Sequence, residues 1–540
     1  MVSIRVERLD HLGVIASVIT DLGLIRMINA RLVPDAQEVI TPGEAMAGMI
    51  LNGLGFANRP LSLTPQFFAS KPLDLLFRAG MGAEMFNRFK LGRTLDEAYT
   101  YGCDLLFQEL ALAVCAQEGI DLRCNHLDTT SFSLSGEYVP ERDEQAITIT
   151  HGYSRDHRPD LKQAVLELMV SQDGGVPFLS KSWDGNTSDT QIFQERAQAL
   201  MTAFTNAPSP RYLIADSKLY HDDNAANLAN LGFITRIPNT IGSVSQVIRQ
   251  ALTGDTWHLL DEKTRYQRLE LCHYGIAQRW LVVHSQAALE RAEATVNHAR
   301  QREEATIAQQ LFHLQAQRFE TPEMAQEALA ELARSWTYHQ VESDNLIAHK
   351  RYARKGRPTP HTPLKAIKWQ IQAQARPDQE ALEHRKQGKA CFVLGTNIDA
   401  SELSDTEVIQ AYKGQSRVEG GFRLLKDPLF FVSSLFVKKP CRIQGLLMVM
   451  TLALLVYSVT QRRLRQQLAA HNETVPNQIN QPTTAPTLRW VFQLLEGIHR
   501  VRVTAQGQIH DLIEGLNDVQ IKVLRRFGEH VCCLYQISPQ

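Results

Sequence analysis

The sequence predicts an α/β (α+β) protein: a mixed sheet with helices, interrupted by a long insertion, with an N-terminal helical domain and C-terminal helices. Three observations predict it. Apolar residues recur at intervals of three and four up to about residue 105. From Leu122 short strand-like runs take over, first as an antiparallel meander and then in alternation with helical stretches. The block from about 240 to 400 breaks that alternation, and helices return after it.

In the N-terminal domain, residues 1–105, "HLGVIASVITDLGLIRMINARL" keeps a helical period, and "TPGEAMAGMILNGLGF" opens with Thr41 as a cap and Pro42 at the first helical position. DNA-binding, dimerisation and purely structural domains all take this form. The next segment, 120–240, carries the strand runs "LRCNHLDTTSFSL", "AITITHGYS", "KQAVLELMVS" and, after a turn at Asp173, Gly174 and Gly175, "VPFLSKSW". A helix at about 188–204 follows, then "RYLIADSKL", a short helix and the strand "FITRIP".

Residues 241–400 form the insertion, with strand-like pieces, a charged helix at about 286–318 and another helix starting at Thr321 and Pro322. Its end is basic: Lys350 to Lys389 holds eleven Lys or Arg against three Asp or Glu. A solvated surface is the plain reading of such a run, and interleaved Tyr352 and Trp369 make phosphate contact the alternative, through Arg351, Arg354 and Lys355. Residues 401–470 open with the Ser404/Glu407 capping-box pattern and end in a buried helix at about 442–468; residues 471–540 are a polar linker and helices, including the amphipathic "TLRWVFQLLEGIHRV".

Hydrophobic content of 44% and charged content of 21% are those of a globular protein, and a net charge of −1 means that any nucleic-acid role must come from local basic patches. Eight cysteines form no CxxC pair and no secretory signal is read at the start, so a reducing cytosol is expected. The longest apolar stretch, "GLLMVMTLALLVY", falls short of the roughly 20 residues that span a bilayer, which predicts a buried helix and no membrane.

The segment "AYKGQSRVEGGFRLLK" reads as a helix, yet it holds Gly414, Gly420 and Gly421, each costing about 0.8–1 kcal/mol relative to alanine. Close approach of DNA or of another helix would explain them. Tyr412, Gln415, Glu419, Phe422 and Lys426 are spaced to share one face, on which Gln415→Arg is expected to be tolerated. Two further carboxylates are tied to strands: Asp128 in "HLDTTSFSL" and Asp216 at the end of "YLIAD", where α/β ligand sites lie. Each alone is more often an edge or capping residue. Asp128, Asp216 and Glu419 together supply the carboxylate oxygens that two hard divalent cations require. "HGYSRDHRPD" sets His151 and His157 near Asp156 and Asp160 without any repeated ligand spacing, so it reads as a structural or DNA-contacting loop rather than a zinc site, with Arg155, Arg158 and Lys162 placed to meet phosphate.

On these residues the chain resembles a bacterial insertion-sequence transposase of the DDE class, in the group with a Tyr-x2-Arg-x3-Glu-x6-Lys signature. "YKGQSRVEGGFRLLK" keeps Tyr412, Glu419 and Lys426 at those spacings; "HLDTTSFSLSGEY" resembles the first-aspartate block, "YLIADSKLY" with "FITRIP" the second, and "HGYSRDHRPDLKQ" and "DGNTSD" are typical of these enzymes. The resemblance implies an RNase H-like mixed five-stranded sheet holding two Mg²⁺ ions, with Mn²⁺ able to substitute, on Asp128, Asp216 and Glu419. It implies strand cleavage at element ends and strand transfer into target DNA. It further implies double-stranded DNA with terminal inverted repeats as partner, a homodimer in the synaptic complex, and a cytoplasmic, nucleoid-associated location. Tyr412, Arg417 and Lys426 would meet DNA. The signature's arginine position holds Gln415, with Arg417 two residues on; an amide lacks the bidentate grip of a guanidinium on phosphate, which leaves a hairpin-forming step without its usual residue. The rival readings are an RNase H-like nuclease without strand transfer and a catalytically inactive DNA-binding remnant.

Overall fold

The computed structural model describes residues 2–57, 60–138, 146–154, 158–205, 211–254, 256–353, 361, 363–427, 429–430, 437–506 and 508–539. They divide into two compact units, residues 1–235 with 407–540, and residues 236–406.

The first unit opens with strand β1 (Val2–Arg8) and then helices α1 (Leu12–Asp21), α2 (Leu24–Arg31), α3 (Pro42–Leu54), α4 (Thr64–Phe68), α5 (Leu73–Leu76), α6 (Arg88–Tyr101) and α7 (Cys103–Gln117). The start of α3 is fixed by a capping box: the Thr41 hydroxyl accepts from the Glu44 amide at 3.1 Å, and the Glu44 carboxylate accepts from the Thr41 amide at 2.8 Å.

A mixed sheet follows, from β2 (Cys124–Leu134), β3 (Lys162–Ser171), β4 (Pro177–Trp183), β5 (Tyr212–Ala215) and β6 (Gly232–Arg236), with α8 (Asp189–Thr205) between β4 and β5 and the short α9 (Ala225–Leu228) before β6. Within this unit the strand order is β4-β3-β2-β5-β6. β4, β3 and β2 are antiparallel, whereas β2, β5 and β6 are parallel. The protein is therefore α+β, with a mixed sheet as expected. The β3–β4 turn uses Gly174 and Gly175 at φ +80° and +66°, the left-handed pair that a tight hairpin needs. "AITITHGYS" adds no strand to the meander. It makes one isolated bridge, Thr150 to Gln163, because Thr148 is engaged at its amide by the Asp184 carboxylate (2.7 Å) and at its carbonyl by the Gly185 amide (3.0 Å).

The second unit contains α10 (Gly242–Thr253), β7 (His258–Asp261), β8 (Thr264–His273), β9 (Ile276–Ser285), α11 (Gln286–Ala316), α12 (Pro322–Arg334), β10 (His339–Tyr352), β11 (Leu364–Pro377), α13 (Gln379–Ala390) and β12 (Cys391–Thr396). β12, β9, β8 and β7 are joined in that order by antiparallel pairing. The basic tract takes in the end of β10, all of β11 and most of α13; in the β10–β11 ribbon Ile371 and Ala373 pack with Leu346 against Ile307 and Leu311 of α11 and Leu329 of α12.

The chain then forms α14 (Asp405–Lys413), α15 (Ser416–Leu425), α16 (Pro440–Ala470), the small pair β13 (Val475–Pro476) and β14 (Pro482–Thr483), α17 (Leu488–Leu494), β15 (His499–Ala505), β16 (Gln508–Glu514), α18 (Asp518–Arg525) and α19 (Glu529–Leu534). α16 is long and apolar enough to cross a membrane, with a mean hydropathy of 1.9 over its best window, but 89% of that window is buried inside the protein. The expected amphipathic helix stops at Leu494; Gly497 takes φ +90° and the chain turns into β15, which pairs with β1 from Val2↔Ala505 to Arg8↔His499. The N-terminal domain thus begins with a strand that joins the C-terminal hairpin.

Candidate active site

β2 and β5 pair in parallel from Cys124↔Tyr212 to Leu127↔Ala215. The next residue on each is Asp128 and Asp216, so the two aspartates stand abreast at the carboxyl end of β5, on backbones about 4.8 Å apart. Both are half-buried. The Asp128 carboxylate accepts from the Thr129 amide at 2.7 Å. Asp216 caps a 3₁₀ turn, accepting from the Lys218 amide at 2.9 Å, while its carbonyl accepts from the Thr235 hydroxyl at 2.8 Å. That turn carries the chain out of the sheet just after the carboxylate.

Asp189, at the start of α8, links the middle of β2 to the turn after β5: it accepts from the Thr129 hydroxyl and pairs with Lys218. Sequence reasoning passed over Thr129, Asp189 and Lys218. The signal was "DGNTSD", a motif noted without a role for its last residue.

The segment carrying Glu419 is two helices rather than one. Gly414 and Gln415 form a turn between α14 and α15, where Arg417 N bonds Gly414 O at 2.9 Å and Val418 N bonds Gln415 O at 3.1 Å, tighter than α-helical spacing. Glycine is what fits at this turn: a Cβ on Gly414 would sit 2.1 Å from the Gln172 amide oxygen, and Gln172 is itself hydrogen-bonded to His126. The single shared face expected for Tyr412 to Lys426 is therefore interrupted. Gln415 is only 8% exposed, not on an open face.

α15 lies over the Asp128 face of the sheet. Leu168 is the direct cross-strand neighbour of Asp128 and so projects on the same side, and a Cβ on Gly421 would be 3.7 Å from it. Phe132 shares that side by alternation, and the Lys426 ammonium is 5.8 Å from its ring centre. These two anchors run the helix along β2. Glu419, about 10 Å back from Lys426 along the axis, comes level with Asp128, about 13 Å back from Phe132 along the strand. Glu419 is exposed. Among the described residues no three His, Cys, Asp or Glu side chains are close enough to hold a metal ion. The donor types of Asp128, Asp216 and Glu419, three carboxylates without sulfur or imidazole, suit a hard oxygen-seeking cation, but the three side chains are not gathered into one metal site here.

His126, two residues before Asp128, is buried, and burial drives its pKa down to about 4. Tyr412 is half-buried, and Arg417 borders a cavity beside Asp173 and Gly175. Arg158 is exposed and forms a two-armed pair with Asp160 at 2.8 and 2.7 Å; Lys162 donates to the Tyr138 carbonyl at 3.4 Å. Arg351 is exposed on β10. Arg155, Arg354 and Lys355, with Asp156 and His157, lie outside the described residues.

Residues 4–112 match the model of a family described as a domain of unknown function (DUF4277). No curated protein matches the chain. Among solved structures, the cryo-EM structure of the piggyBac transposase synaptic complex with hairpin DNA is similar at 9% identity and a TM-score of 0.34, over 90% of this chain and 78% of that one.

Proposed function

We propose that the protein is a metal-dependent DNA transposase of the DDE class, cutting DNA strands at the ends of its own element and joining them to target DNA. The observation that carries this reading is the register that sets Asp128 beside Asp216, with the Glu419 helix packed over the same face. When bound, divalent cations would supply the positive charge that activates a water or 3′-hydroxyl and stabilises the leaving oxygen. The chain's own part is positional. Asp189 ties β2 to the turn after β5, α15 packs over the face of β2 that carries Asp128, and Lys426 offers a point charge to phosphate. Double-stranded DNA, a synaptic homodimer and a cytoplasmic site of action belong to this reading.

The test is a plasmid carrying the coding segment with its native flanks, incubated with the full chain, Mg²⁺ and a second target plasmid. Strand breaks at the flanks, followed by covalent joining of 3′-ends to the target, are expected. Asp128→Asn and Asp216→Asn should abolish both while still binding DNA. Breaks without joining would assign the nuclease; wild-type protein that binds DNA but never cuts it would assign the inactive remnant.

A further inference from the structure

Gly420 poses a question that packing does not answer. Gly414 is crowded by Gln172 and Gly421 by Leu454 at 3.1 Å, but among the described residues a Cβ on Gly420 would meet nothing within 4 Å. Glycine weakens a helix interior, and packing among the described residues does not account for this one. Beside it is a cavity of about 670 Å³ bordered by α15, α16 and the start of α17.

The cavity wall is rich in arginine. Arg417 and Arg423 come from α15, Arg462 and Arg465 from α16, and Arg489 from α17, against the carboxylates of Asp173 and Asp427. Asp173 is taken up by Arg462 in a two-armed pair at 2.8 and 2.6 Å, and Asp427 lies 3.5 Å from Arg489. Among the described residues Arg417, Arg423 and Arg465 form no ion pair; Arg465 donates one bond to the Pro486 carbonyl at 2.9 Å. Burial lowers the pKa of both Arg417 and Arg465, opposed in part by the Asp173 carboxylate at Arg417 and by Tyr457 at Arg465, where the charge of Arg417 adds to the lowering. Like charges sharing a partly enclosed wall are stabilised by an anion between them.

We propose that this cavity is a phosphate-binding cleft that takes the backbone of a nucleic-acid strand, with Gly420 letting a phosphodiester lie against the α15 backbone. Naming the strand as DNA rests on the function proposed above. Arginines offer forked donors that match phosphate oxygens, and a glycine surface removes the side chain that would hold the backbone off.

The experiment measures binding of fluorescein-labelled single-stranded and duplex DNA to the full chain by anisotropy, in EDTA and over a range of salt, so that no catalytic metal enters. Replacing Arg417 and Arg465 together with Ala should weaken binding at least tenfold and reduce the slope of log affinity on log salt by about one for each arginine. Gly420→Leu should weaken binding comparably without lowering the unfolding temperature, and it decides the matter if the arginine variant does not fold. Wild-type affinity and slope in the variants would overturn the proposal. So would loss of pyrophosphate binding alone with DNA binding unchanged, which would make the cleft a small-anion site. Wild-type protein that binds through these arginines yet never cuts with Mg²⁺ would overturn the transposase reading and leave the cleft standing. Cutting that persists with arginine variants binding as wild type would do the reverse.

Discussion

Asp128 and Asp216 occupy the positions immediately after the last pair, Leu127 and Ala215, of two neighbouring parallel strands. Two carboxylates set so close repel one another when both are ionised, and a shared divalent cation removes that repulsion. Calorimetric titration with Mn²⁺ should therefore show binding to the wild type that weakens about a hundredfold or more in Asp128→Asn/Asp216→Asn. Unchanged binding in the double variant would remove these residues from any metal site.

The glycines of the α14–α15 segment should respond in opposite directions. Gly414→Ala drives a methyl into Gln172 and should cost about 1–3 kcal/mol, whereas Gly420→Ala gains helix propensity and should add about 0.5–1 kcal/mol. Urea unfolding midpoints measure both, and a loss of stability at 420 would mean that its surroundings are more crowded than described.

Arg500 is 1% exposed and ties the ends of the chain together, donating to Glu7 at 2.8 Å and to both oxygens of Asp74 at 2.8 Å. Arg500→Ala leaves the buried Glu7 carboxylate with only the largely exposed Arg5, at 2.8 Å, as counter-charge, and should cost roughly 2–4 kcal/mol in chemical denaturation. A cost below about 1 kcal/mol would show that water reaches Glu7 readily.

His11 is buried, stacks on Phe492 at 4.0 Å and hydrogen-bonds the Leu54 carbonyl at 2.9 Å; burial lowers its pKa from 6.5 to about 4. The folded state thus resists a proton that the unfolded state accepts. Stability from this group is whole above pH 6.5 and is lost as pH falls from 6.5 toward 4, by about 3 kcal/mol in all. His11→Gln should flatten the stability profile across that window. A profile with the same slope in the variant would place the acid sensitivity elsewhere.

Gln415→Arg was expected to be tolerated on an open helix face. At 8% exposure the position cannot take a guanidinium without burying it, and the variant should lose about 2–3 kcal/mol in thermal or urea unfolding. A neutral substitution would show that the turn opens easily toward solvent.

What the chain revealed in advance was whatever its local chemistry encodes. The Thr41 cap, the Gly174–Gly175 turn, the strand that carries Asp128 and the apolar run that ends in Asp216 each carry their signal within a few residues. Other features depend on distant residues. Gly414 is needed because Gln172, some 240 positions earlier, packs against it, while the capping pattern and the helical spacing alone read as one continuous helix. β1 finds its partner near residue 500, and nothing in "VSIRVER" says so. The grip of Asp189 on Thr129 and Lys218 needs the sheet to be in place before it can be seen.

The pairing of Val2 with Ala505 also sets an order of events during synthesis. A ribosome adding about 5–20 residues per second needs roughly 25–100 seconds between the first strand and the one that receives it. Through that interval β1 has no ladder, and Val2, Ile4 and Val6, well over half exposed even when folded, have no hydrogen-bonded neighbour beside them. Residues 236–406 form a contiguous unit and can fold as soon as they emerge, while the unit around them must wait for α16 and β15. The waiting strand is therefore the part of the nascent chain most open to capture by a chaperone or by another copy's edge.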